Sequence, residues 1–132
     1  MPVLNLTKKT WLATTVRKAD QFLTRLVGLL RRNNLGPEEA LWLIPGKGVH
    51  TIGMKFPIDV IFLDESNKVI DIASELPPNR ISRIRLKTRS ILELPSGTIQ
   101  KSTTAVGDQL EILLAESSHM DDLKETLLNR IA

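Results

Sequence analysis

His50 is one of two histidines in a chain that contains no cysteine. With an ordinary pKa of about 6.5, imidazole is the side chain best suited to work as acid, base or metal ligand. Asp59, Asp64, Glu93 and Asp108 are the carboxylates that could stand beside it. A hydrolase or lyase would use His50 as general base, with Asp59 or Glu93 orienting the ring. Arg25 supplies a cation that could pair a buried Asp59 or receive an anionic ligand. Against this chemistry stands an architectural explanation, in which His50 and Thr51 hydrogen-bond loop backbone and hold Met54 in the core. Without thiolates, and with so few histidines, ligands for a metal are scarce, so neither metal nor cofactor is expected. Whether the chain is an enzyme stays open at this point.

The segment Val49 to Asp64 must position these groups, with Gly53 and Pro57 fixing a loop directly before the β-branched run Ile58 to Leu63. Val69 to Ala73 follows after the turn Asp64-Glu65-Ser66-Asn67, which predicts an antiparallel hairpin. Alternation places Asp59 on the sheet face opposite Ile58 and Val60, and sets Glu93 apart from Leu92 and Leu94. Glu93 is expected to pair with Arg85 or Lys87. Gly97 and Gly107 are expected in turns that need positive φ.

Val3 to Leu6 and Trp11 to Val16 predict an opening hairpin. A helix capped by Asp20 follows, with Phe22, Leu23, Leu26, Leu29 and Leu30 on one face, ending at Asn33 to Pro37. Ala40 to Ile44, Ser90 to Leu94 and Gln109 to Leu114 predict further strands, and Thr98 opens a short helical turn. Met120, Leu123, Leu127, Leu128 and Ile131 share a face of a C-terminal helix over about 118–131. The expected fold is β-rich α+β: one domain over residues 1–132, a mostly antiparallel sheet curled into a sandwich or open barrel, with one helix near each end.

From Arg80 to Arg89 five cations occur with no acid, and Arg83, Arg85, Lys87 and Arg89 alternate with Ile84, Leu86 and Thr88. Such a stripe could follow phosphates. No tryptophan or phenylalanine interleaves with it, so a solvated edge strand protected by charge is the favoured explanation and nucleic acid the lesser one. Trp11 and Trp42 belong to apolar runs and are expected in the core, although one of them could wall a small pocket beside His50.

Hydrophobic residues at 42% and charged residues at 25% describe a soluble globular protein, and a net charge of +3 permits anionic partners without requiring them. No stretch approaches the roughly 20 apolar residues that span a bilayer, and the N-terminus lacks an apolar leader core. A soluble, cytoplasmic protein without membrane contact is expected, its partner a small molecule or a protein. A homodimer through the C-terminal helix is an open alternative.

Three motif groups together resemble the domain of unknown function 192 family, an uncharacterised family also designated UPF0127. They are Arg25, Gly28 and Leu29; His50-Thr51, Gly53-Met54, Pro57 to Val60 and Phe62; and Leu92 to Pro95, Gly97 and Gly107-Asp108. The likeness covers roughly Leu4 to Leu114 and implies a compact β-rich domain with no assigned substrate or cofactor. Many relatives carry a cysteine where this chain has Gly46, and many have methionine where it has Leu30. The expected function is a binding module for a small polar or anionic ligand at the His50 to Pro57 loop. Arg25, His50, Thr51, Met54, Asp59, Glu93 and Gly97 are the candidate site residues.

Overall fold

Ile58–Leu63 (β5) is buried at every position, a pattern that requires cover on both faces of the sheet. The computed structural model describes residues 2–19, 38–49, 51, 54–82 and 85–113. Within them β5 lies between Val69–Leu76 (β6) and Ser90–Pro95 (β7), in a five-stranded sheet completed by Thr15–Ala19 (β3) and Glu39–Leu43 (β4). The order is β3-β4-β7-β5-β6, antiparallel except for the parallel pair β3 and β4. A second sheet, of three strands, places Val3–Asn5 (β1) between Thr10–Ala13 (β2) and Leu110–Ile112 (β8), both antiparallel to it.

The two faces of the larger sheet follow from register. Ile61 and Leu63 of β5 point with Leu92 and Leu94 of β7 and with Ala40 and Trp42 of β4 toward the three-stranded sheet, where Val3, Leu12, Ala13 and Leu110 meet them. Ile58, Val60 and Phe62 point the other way, with Ile91 and Leu43, and are covered by Val49, Met54 and Phe56 from an irregular loop. Burial of each such side chain contributes about 1.5–3 kcal/mol, so both covers are needed to hold β5 at the centre. The architecture is therefore a β-rich sandwich of two sheets, not a closed barrel, with a loop layer on its outer face.

Among the described residues the one helix is Thr98–Ser102 (α1), a single turn whose Ile99 plugs the core between the sheets. The helix expected from Asp20, with Arg25 and Gly28, and the C-terminal helix lie outside the described residues, as do His50 and Gly53.

The Arg80 to Arg89 stripe departs from expectation. Leu86 and Lys87 form a turn, Leu86 is 80% exposed, and Arg85 is half-buried, so among the described residues of the stripe, 80–82 and 85–89, alternation does not carry through into a solvated edge strand. The cause is packing: the Arg85 guanidinium lies 4.0 Å from the centre of the Phe62 ring and pairs with Asp71, the cross-strand neighbour of Phe62. A cation over a ring gains from the ring's negative face while its stem covers apolar surface.

Candidate functional site

Thr51 is fully buried and clamps two loops together. Its Oγ1 donates to the Pro77 carbonyl at 2.6 Å and accepts the Arg80 N–H at 2.9 Å. Its own N–H donates to the Arg80 carbonyl, and its carbonyl accepts from Asn79 and Met54. The same pairing continues outward, with Val49 bonded to Ser82, Lys47 to Arg85 and Gly46 to Arg89. Residues 46–49 and 51 thus form, with 79–82 and 85–89, a ribbon over the outer face, and Met54 is held beneath it in the core. That arrangement is the architectural duty weighed above for Thr51 and Met54. Replacing Thr51 with valine keeps the shape and removes both side-chain bonds, so unfolding free energy is expected to fall by about 1–3 kcal/mol in urea titrations.

Asp59 faces the opposite way. The register shift between Ile58 and Val60 marks a bulge in β6, where Glu75 takes a φ of 53°. One Asp59 carboxylate oxygen accepts the Glu75 N–H and the other accepts the Ile99 N–H, each at 2.8 Å. The N-cap of α1 is Gly97, which has no side chain to offer, and Asp59 supplies the missing acceptor from a neighbouring strand. Sequence reasoning sought a cation for this buried acid at Arg25, which lies outside the described residues; the partners seen are backbone donors.

Glu93 is also buried, but it lies on the loop-covered face between Leu41 and Val60. Of its two expected partners, Arg85 is half-buried and also pairs with Asp71, and Lys87 stands exposed in the turn. Asp59 and Glu93 therefore occupy opposite faces of one sheet and do not converge on a common reacting centre. Thr51 and Met54 share the side of Glu93; Gly97 shares the side of Asp59.

Asp108 belongs to a second buried polar cluster that joins β1 and the turn after it to the segment before β8. Its carboxylate accepts from the Asn5 amide at 2.9 Å and the Ala105 N–H at 3.0 Å, and Lys8 Nζ lies 2.9 Å from both oxygens. Asn5 also bonds Thr104, whose hydroxyl meets Ser102. Burial pushes the Asp108 carboxyl up, but the Asn5, Lys8 and Ala105 hydrogen bonds and the Lys8 charge outweigh it and hold it below the ordinary value of 3.8. Gly107, with φ 97°, makes the turn that delivers this aspartate. Among the described residues no three metal-ligating side chains gather around one point.

Among the described candidate residues, Gly97 opens onto a groove of useful size. Its φ of 94° requires glycine, while a Cβ built there would meet nothing within 4 Å. Beside it runs a groove of about 310 Å³ walled by Trp11, Pro95 and Thr98, with Lys101 and Glu38 as its charged groups. A hollow of about 270 Å³ on the other side of Gly97 touches Asp59, Ser74, Glu75 and Gln100. Lys101 escaped sequence reasoning, although it stands four residues after Gly97, one helical turn away, where its side chain returns to the same rim.

A family model described as DUF192, "Uncharacterized ACR", matches residues 3–112. The UPF0127 protein of Pyrococcus furiosus is 35% identical over 115 residues, covering 83% of this chain and 96% of that protein. The UPF0127 protein of Pyrococcus horikoshii is 33% identical over 102 residues, covering 73% and 85%. A crystal structure of a protein of unknown function from Novosphingobium aromaticivorans shares the fold with a TM-score of 0.72 at 22% identity, covering 85% of this chain and 84% of that one.

Proposed function

The chain belongs to the DUF192 family, and from that premise we propose that it is a non-catalytic binding domain whose ligand lies in the groove beside the Gly97 turn. The ligand class is a small molecule with an apolar ring and a carboxylate or phosphate group. One observation carries the reading: of the residues that bear the family likeness, Thr51, Asp59 and Asp108 spend their polar atoms on backbone or side-chain partners inside the fold, whereas Gly97 faces open space. The groove adds a ring wall at Trp11, an apolar wall at Pro95 and a cation at Lys101, within the size range of small-molecule sites. In this reading the ligand lies beside Gly97 rather than at the His50 to Pro57 loop to which the sequence pointed.

Amide NMR titration with benzoate, phenyl phosphate and neutral benzyl alcohol tests this reading. Shifts at Ser96 to Thr98, Lys101 and the Trp11 indole are expected for the two anions. Lys101→Ala should weaken them about tenfold, the size of one lost charge-assisted contact. Shifts centred on Thr51 and Met54, or none with any probe, would overturn it.

A further inference from the structure

We infer that the ribbon over the outer face docks the protein on an anionic lipid surface. Ile81 and Leu86 are large aliphatic side chains exposed at 75% and 80%, far beyond what a monomer gains by leaving them in water. Ile81 belongs to residues 79–82 of the ribbon and Leu86 to residues 85–89, and a separation of five residues in the chain keeps them within about 18 Å of each other. Arg80 adjoins Ile81 in the chain, while Lys87, Arg89 and, from the paired strand of the ribbon, Lys47 line one hollow with Leu86, and all four cations are exposed. Among the described residues the acids near these cations include Asp64, Glu65 and Asp71; Asp64 is turned onto the Ser66 and Lys68 N–H groups and Asp71 is paired with Arg85. Arg85 contributes little to the field, because its charge is paired with Asp71.

The platform is fixed before any partner arrives. Ser82 is bonded to Val49, Arg85 to Lys47, and Lys47 Nζ donates to the Leu86 carbonyl at 2.7 Å, so the turn that lifts Leu86 is tied down on the same cations that would meet the headgroups. Protruding aliphatics in a ring of lysine and arginine match an interface with acyl chains beneath and phosphate above. They do not match nucleic acid, where aliphatic side chains gain nothing from a phosphodiester backbone and aromatic platforms would be needed. No helix among the described residues is long and apolar enough to cross a membrane, and peripheral attachment requires none.

Co-sedimentation of the full chain with vesicles of phosphatidylcholine alone, and with about one third phosphatidylglycerol, tests the inference. Binding is expected to the anionic vesicles only and to weaken as salt rises. The double variant Ile81→Ser, Leu86→Ser keeps every charge and both sites are exposed, so its urea midpoint should match the parent while vesicle affinity falls at least about tenfold. Lys87→Gln with Arg89→Gln should lose a comparable factor at low salt. No binding to anionic vesicles overturns the inference. So does undiminished vesicle binding by the serine variant, or retention of a duplex oligonucleotide with the same affinity by parent and serine variant, which would assign the ribbon to nucleic acid.

Discussion

Asp59→Ala is expected to lower unfolding free energy by about 3–5 kcal/mol. The estimate follows from what the substitution leaves behind. Asp59 has no exposed surface, and each oxygen accepts one backbone N–H, from Glu75 and from Ile99. Without the carboxylate the Ile99 donor stays buried and unpaired and the part-buried Glu75 donor loses its partner, at about 1–3 kcal/mol each. Water reaches the Ile99 donor poorly, so the structure must open to satisfy it. Two elements would loosen together: the β6 bulge at Glu75, and α1, whose Gly97 cap has no side chain of its own. Asp59→Asn keeps one acceptor and sets an amide NH2 against the other donor, so it should fall between parent and alanine. Urea titration reads the stability, and the Lys101 groove reads the consequence, because α1 carries Lys101. A role for Asp59 as a ligand-binding group predicts the reverse: Asp59→Asn as stable as the parent and unable to bind. A stable asparagine variant would therefore sink the architectural assignment.

This aspartate also shows where sequence reasoning stops. That it is buried, and on the face away from Ile58 and Val60, follows from alternation along a β-branched run. Its partners do not, because a backbone N–H leaves no residue type to read; only the bulge opposite it, and a helix start lacking a side-chain cap, create the need. The β5 and β6 hairpin, β7 and the positive φ of Gly97 and Gly107 were legible for the complementary reason that each rests on local chemistry. β3 was not: a single residue, Thr14, separates it from β2, and the sequence runs on as though Val16 still belonged to the hairpin. It leaves instead for the other sheet, to lie parallel to β4.

The Arg80 to Arg89 segment gives the opposite lesson. Its alternation is as regular as any in the chain, yet the pattern specifies a strand only if a partner strand accepts it. Here the partner is a loop, and the phenylalanine face of β5 lies within reach of Arg85. A ring and an acid already placed by β5 and β6 outcompete water for that guanidinium, and the chain turns at Leu86 and Lys87. Charge patterning located the cationic surface correctly and misjudged its shape. The candidate site divided for a related reason. Thr51 and Met54 are near Asp59 in sequence, but a strand sends neighbouring side chains to opposite faces, so closeness along the chain became separation through the sheet.

Asp108→Asn should cost about 2–4 kcal/mol at neutral pH, and the cost should shrink in acid. At pH 7 the carboxylate is ionised and accepts from Asn5, Lys8 and Ala105 inside a pocket that is 4% exposed. Asparagine turns one acceptor into a donor and confronts the Lys8 ammonium with an amide. The sign of the pH effect follows from the direction of the shift. The folded carboxyl lies below 3.8 while the unfolded one titrates near its ordinary value, about 3.9, so the unfolded chain takes up the proton first. The stabilisation is therefore complete above the unfolded value and is lost as pH falls through the folded one. Urea midpoints measured from neutral pH down through that range should converge for parent and variant, with the other carboxylates cancelling in the difference. A difference that stays constant through acid would mean that Asp108 holds the turn by shape alone. Convergence would establish that a charge seated between Asn5 and Lys8 ties β1 to the turn before β8, closing the smaller sheet on which the core of β5 rests.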